Sequence, residues 1–145
     1  MSSTVNQFQI IGYLGANPVM RYTPDGEPVL ILQLATQNRW RDSDGIAQLN
    51  TEWHSIYTYR RMATIAHESF QKGMLLRVVG TLETRLVPGD LHSSKVCLIA
   101  REMKHLKSNF PVSESEALRA EPPTITDFEF TGALKPEVAI KRVLR

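Results

Sequence analysis

In the run NTEWHSIYTYRR, Asn50 to Arg61, three aromatic residues, Trp53, Tyr57 and Tyr59, recur at odd positions and two arginines follow directly. Successive residues of a strand point to opposite faces. As a strand, the run therefore gathers the rings on one face with Ser55 and puts His54, Ile56 and Thr58 on the other. Flat rings beside guanidinium groups suit single-stranded nucleic acid: bases stack on aromatic side chains for ~1–3 kcal/mol each while basic groups track the phosphates. Such stacking tolerates any base, since every base has a flat face. The plainer reading is core packing, because aromatics are frequent in strands and a barrel turns one apolar face inward. Against it, arginines are seldom buried, and a further ring, Trp40, sits between Arg39 and Arg41 in NRWRD. The face with His54, Ile56 and Thr58 then supplies a barrel interior or a subunit contact.

Other chemistries find less support. His54, His67, His92 and His105 have no metal-ligand spacing, and the single cysteine, Cys97, cannot complete a structural zinc site. No metal and no cofactor are expected. GYLGANP holds two glycines with no helix signal after them, so it is not a nucleotide fingerprint. Asp42 and Asp44 lie in RDSDG and read as turn chemistry. KVCLIA reads as a buried strand, and apolar burial keeps a thiol protonated. Nothing assembles a nucleophile, a base and an oxyanion donor. The chain reads as a binding protein and not as an enzyme.

The elements that must carry these residues alternate with turn signals. VNQFQIIGYLG is a first strand. RYTPDGEP is a turn, with Pro24 setting φ and Gly26 accepting left-handed geometry. VLILQLATQ is a second strand, apolar on both faces at its start, and RDSDG turns the chain into the aromatic strand. In RMATIAHESFQKG the period changes: Met62, Ile65, Ala66 and Phe70 recur at helical spacing, and Gly73 can close the helix. MLLRVVGTLETRLV is a fourth strand with a bulge or bend at Gly80, PGD is a turn, and KVCLIAREMKHLK is a fifth strand. Three strands, a short helix and two strands give an all-β chain with one helix, the order of the OB-fold, a five-stranded Greek-key barrel.

Composition divides the 145 residues near Lys107. Residues 1–107 hold 12 Lys and Arg against 9 Asp and Glu, a net +3, and are expected to form the domain. Residues 108–145 are rich in Ser, Glu, Pro and Thr and carry 5 basic against 6 acidic groups. Such a segment buries too little apolar area to offset its ordering entropy, so a largely disordered tail is expected. No apolar run approaches the ~20 residues of a membrane span, and MSSTVNQ does not read as a secretory or transit signal. A cytoplasmic protein with no membrane partner is expected, consistent with one cysteine and no internal disulfide.

VNQFQIIGYLGANPVMRYTPDGEPV, LATQNRWRD, TEWHSIYTYRRMATIAHESFQKG and VVGTLETR resemble the bacterial single-stranded DNA-binding protein (SSB) family. The likeness runs in order from about Val5 to Val87 and more loosely to Lys107, and TEWH before a strand whose helix ends in KG is its most specific part. The resemblance implies an OB-fold and usually a homotetramer wrapping single-stranded DNA, associated with the bacterial nucleoid. Family stacking positions map onto Trp40, Trp53 and Tyr59, and phosphate-contacting positions onto Arg21, Arg61, Lys72 and Arg85. Arg39 and Arg41 join them as the neighbours of Trp40. His54 corresponds to a histidine near the family's subunit contact and is not assigned to DNA.

This sequence departs from the family at Val87, where many members carry another stacking Trp, and at Ser55 and Glu83, where basic residues are common. These changes should weaken or shorten the DNA path. Family members usually end in a short acidic peptide closing with Pro-Phe, whereas residues 131–145 here carry four basic groups and one acid. That end is either a short basic helix with Leu134, Val138, Ile140 and Leu144 as partial apolar stripes, or a disordered basic segment. Asp127, Phe128 and Phe130, in TDFEFTG, are the candidate partner motif for replication or recombination proteins. The expected function is sequence-independent binding and protection of single-stranded DNA in replication, recombination, repair or element transfer. The alternatives are a primosomal adaptor of the same fold, often dimeric, that acts through a helicase or primase, and an assembly protein reusing the barrel to bind protein.

Overall fold

Six of the seven residues from Val29 to Ala35 are apolar, a run that suits a strand covered on both faces. The computed structural model describes residues 3–87 and 90–107, leaving aside the side chains of 86, 87 and 90–93. Its elements are β1 Phe8–Leu14, β2 Val19–Tyr22, β3 Pro28–Arg41, β4 Ala47–Tyr59, α1 Arg60–Ser69, β5 Leu75–Val87 and β6 Asp90–Leu106. β3 and β4 pair antiparallel in unbroken register from Val29 opposite Tyr59 to Arg41 opposite Ala47. β4 then runs parallel to β6 at Ile56–Leu98 and Tyr57–Ile99, and β6 pairs antiparallel with β5. β5 pairs with β1, and β1 returns to β3 through Tyr13–Ala35 and Leu14–Leu34. The ring β1–β5–β6–β4–β3–β1 is a closed five-stranded barrel, the expected OB-fold.

The closing seam needs a residue without a side chain. A Cβ on Gly12 would come within 2.5 Å of the Ala35 carbonyl oxygen, so any larger residue would hold β1 away from β3. The expected bend at Gly80 is a register shift between Val79 and Gly80 in the β5–β6 ladder.

Two local expectations change. β2 is a strand that the turn reading of RYTPDGEP left out; it pairs with β3 alone, from Val19–Ile31 to Tyr22–Pro28. The turn itself occupies the next residues, where Thr23 accepts from the Gly26 and Glu27 amides and Gly26 takes φ 87°. The helix stops at Ser69 with Phe70 as its cap, so Gly73, at φ 96°, turns the chain toward β5 and donates its amide to the Leu14 carbonyl at 2.7 Å. Of the residues at helical spacing, Ala66 is buried and Met62 and Phe70 pack against the core, whereas Ile65 is half exposed and Ala63 is buried with Ala66. Small residues let α1 lie close against the barrel mouth.

The barrel interior holds Leu14, Leu30, Leu32, Leu34, Ile56, Leu76 and Val78, with Phe8, Ile10 and Met103 packed at its margins. Each fully buried Leu or Ile contributes ~1.5–3 kcal/mol relative to exposure. Ile56 and Thr58 of β4 face this interior, as the period of the aromatic run requires. A second cluster lies on the outer face, where Val29, Ile31, Tyr57, Cys97 and Ile99 are buried and Tyr59 packs against them. That outer face carries the rings.

Candidate nucleic-acid interface

Along the outer face of β4 the register sets Trp53 beside Ala35, Ser55 beside Gln33, Tyr57 beside Ile31 and Tyr59 beside Val29. Tyr57 is 3% exposed and belongs to the core cluster, while Trp53 and Tyr59 at the two ends of the row are partly exposed. The row is therefore two accessible rings with a buried one between them.

Trp53 rests on Gly15. The edge of its six-membered ring, Cζ3 and Cη2, occupies the space a Cβ on Gly15 would need. Gly15 is fixed in turn by its amide, which donates to the Gln33 carbonyl at 3.0 Å. The same loop reaches Lys72: the Asn17 side-chain oxygen accepts from the Lys72 amide at 2.9 Å. Lys72 is exposed, and this hydrogen bond ties its backbone to the loop that carries Gly15. His54, next in the strand, shares a 2.8 Å hydrogen bond with Thr36. Partial burial holds the His54 imidazole below its ordinary pKa of 6.5, against an upward pull from Glu52.

Tyr59 lies at the other end, where β2, β3 and β4 run side by side. Arg21 pairs with Val29 and Val29 with Tyr59, so an arginine flanks the ring from two strands away. Arg21 also donates to the Met20 carbonyl at 3.2 Å. An open groove of about 540 Å³ beside the ring is lined by Tyr59, by Arg60, Arg85 and Arg101, and by Asp25, Glu27 and Glu83, among others. Glu83 accepts from Arg85 at 2.7 Å through one carboxylate oxygen and from Arg101 at 3.2 Å through the other. Burial pushes the Tyr59 phenol up to about 12, with Arg85 opposing the shift, so the ring stays neutral at physiological pH.

Trp40 belongs to the β3–β4 ribbon beyond the barrel. It pairs with Gln48 and is 46% exposed. Arg39 and Arg41 share the face of Trp53, whereas Trp40 points to the other face, with Asn38 and Gln48. Asp42 organises the ribbon tip: one carboxylate oxygen accepts from the Asp44 and Ile46 amides and the other from the Gln48 side chain, at 2.9–3.0 Å. These hydrogen bonds, that of the Ile46 amide first, hold the Asp42 carboxyl below its usual value. Arg41 donates to the Gly45 carbonyl at 2.9 Å, which steadies the turn next to Trp40.

Not every candidate meets on this surface. Arg61 lines a separate apolar groove with Met62, Ile65, Phe70 and Met103, around the helix from Tyr59. Arg60, its neighbour, turns into the Tyr59 groove instead. Arg60 stands at φ 56° as α1 begins, and this left-handed residue separates the two side chains. Arg101 and Gly15 join the site without a signal in the sequence. Arg101 sits in an ordinary strand pattern and Gly15 in a glycine pair that reads as loop, so neither carries a local signal. The Val87 side chain lies outside the described residues, as do Asp127, Phe128, Phe130 and the whole of 108–145 with its expected tail and helix. Among the described residues no group of three His, Cys, Asp or Glu side chains could hold a metal ion, and no helix is long and apolar enough to cross a membrane.

The profile described as "Single-strand binding protein family" matches residues 5–106. The chain belongs to this family. As a single-strand binding family member it is similar to the single-stranded DNA-binding protein of Neisseria meningitidis serogroup A, 36% identical over 105 residues that cover 71% of this chain and 60% of that protein. It is likewise similar to single-stranded DNA-binding protein 1 of Xylella fastidiosa, 38% identical over 84 residues covering 57% of this chain and 62% of that one. The chain thus spans about three-fifths of the length of these relatives. In structure it is similar to the single-stranded DNA-binding protein from Thermus aquaticus, with a TM-score of 0.61 at 34% identity, covering 72% of this chain and 52% of that chain. It shares its fold with Plasmodium falciparum SSB in complex with ssDNA, with a TM-score of 0.61 at 24% identity over 74% of this chain and 99% of that one.

Proposed function

We propose that the chain binds single-stranded DNA without reading its sequence, by stacking bases on Trp53, Tyr59 and Trp40 and holding phosphates with basic side chains. The observation that carries this reading is the outer face of β4, where two partly exposed rings end a row bordered by arginines: Arg21 and Arg85 beside Tyr59, Arg39 and Arg41 on the face of Trp53. Lys72, tied to the loop that carries Gly15, adds a further basic group, and Arg61 provides a phosphate contact as the strand leaves the face. The family and the relatives named above support the same substrate. Rings and arginines on one surface bind a strand whose bases are unpaired; a duplex hides the flat faces of its bases inside the stack.

Binding of this kind protects and organises exposed strands and involves no reaction. We further propose a cytoplasmic protein that self-associates, as a homotetramer or a dimer. The β1 edge supports self-association, because it meets β3 over two residue pairs only and carries the half-exposed Ile11. Residues 1–107 would be the DNA-binding unit, and Asp127, Phe128 and Phe130 the contact for a replication or recombination protein.

The test is a fluorescence titration with oligo-dT and with a matched duplex at low and high salt. The tryptophans, Trp40 and Trp53, both report. Quenching by the single strand alone, with affinity that falls as salt rises, is the expected result. Absence of both quenching and binding at low salt would overturn the reading. Native mass measurement distinguishes tetramer from dimer.

A further inference from the structure

Three acids line the Tyr59 groove, Asp25, Glu27 and Glu83, and Glu83 is the one ion-paired to two of its arginines. The two Glu83 oxygens are taken by two different guanidinium groups, Arg85 at 2.7 Å and Arg101 at 3.2 Å. Arg85 comes from the same strand two residues on, and Arg101 is the β6 residue skipped at the register shift, where Val79 pairs with Glu102 and Gly80 with Ala100. The group is not sealed in the core: the side chains of Glu83, Arg85 and Arg101 are 35%, 33% and 59% exposed. Tyr59 and Arg60 line the same open groove. Two oxygens of one anion, each held by its own arginine next to a ring, is the arrangement a backbone phosphate would make beside a stacked base.

We infer that Glu83 is a built-in stand-in for a phosphate, which occupies Arg85 and Arg101 in the free protein and must be displaced before a strand can use these arginines beside Tyr59. The inference rests on the single-strand reading and adds to it a residue that sets affinity by competing with the ligand. A carboxylate carries one negative charge on a short tether, so it neutralises part of the groove and lowers the counterion release available on binding. Because the three side chains reach solvent, the exchange requires rotation of Glu83 away from the pair and no opening of the barrel.

The experiment compares wild type, Glu83→Gln and Glu83→Thr in titrations with oligo-dT across a salt series, together with Arg101→Gln and the Glu83→Gln/Arg101→Gln double variant. Glu83→Gln keeps the size of the side chain, and Glu83→Thr is a second neutral replacement suited to a strand if the first folds poorly. Both should bind about two- to fivefold more tightly than wild type at fixed salt, the range of a partly exposed ion pair. The slope of log K against log salt should steepen by ~0.7 for each further phosphate that the protein neutralises. Adding Arg101→Gln should remove most of the improvement, as a shared network requires. Wild-type binding at least as tight as that of both neutral variants, with an unchanged slope, would overturn the inference while leaving the single-strand reading in place. If neither wild type nor variants bind, both fall. Binding by the neutral variants alone would support the inference in its strongest form.

Discussion

Trp40 and Trp53 lie on opposite faces of the β3–β4 ribbon. Trp53 is paired with Ala35, and Trp40 stands five residues further along β3, an odd step that reverses the face. A strand seated on the outer face therefore meets Trp53 first and reaches Trp40 only by passing the ribbon edge.

That geometry separates the two indoles by oligonucleotide length. A short oligo-dT should be quenched by Trp53 and lose most of its affinity in Trp53→Ala, with a cost of ~1–3 kcal/mol for a lost stacking ring. Trp40→Ala should change binding of the short oligomer little and weaken a long one. Titration of both variants with a length series checks this; equal losses at every length would place the indoles on one path.

Gly15→Ala should act on DNA through Trp53. The new Cβ falls where the indole edge now lies, so the ring must shift. Overpacking of this kind costs ~1–3 kcal/mol of stability. Chemical denaturation should show that loss, and the quench on adding oligo-dT should shrink more than in a control substitution at the exposed Gln7.

Arg60→Gly should raise stability and lower affinity together. A non-glycine residue at φ 56° carries a left-handed penalty of ~1–2 kcal/mol, of which part is returned by the greater freedom of glycine in the unfolded chain. The net stabilisation is expected near ~0.5–1 kcal/mol. The same change removes a cation from the Tyr59 groove, so binding should weaken and its salt slope should flatten. Urea unfolding and a salt series on one preparation read both effects.

Stability should fall with acid through two groups. His54 has a folded pKa below 6.5, so the unfolded chain takes up its proton first; stability drops as pH falls below 6.5 and levels off under the folded value. Asp42 also has a lowered folded pKa, and for a carboxylate this means stability present above 3.8 and lost as pH falls further. His54→Gln should flatten the first loss and leave the second, and Asp42→Asn should do the reverse. Denaturant midpoints measured from pH 8 to pH 3 distinguish them.

The order of the five barrel strands along the chain, the two main turns, the helix after Tyr59, and the placing of Trp53, Tyr57 and Tyr59 on one face are legible in the sequence. These depend on periods and turn residues read over a few neighbours, and the backbone obeys them wherever it lies. Tertiary structure alone decided that Tyr57 sinks into the core between two accessible rings, because burial depends on what β3 and β6 set beside it: Ile31 on one flank and Ile99 on the other. It also decided that β2 is a strand, since four residues are too few to show a period. Arg60 and Arg61 read as one basic pair until a left-handed residue sent them to different grooves. The meeting of Glu83 and Arg101 depended on the register of β5 against β6, which barrel closure sets and no local pattern encodes.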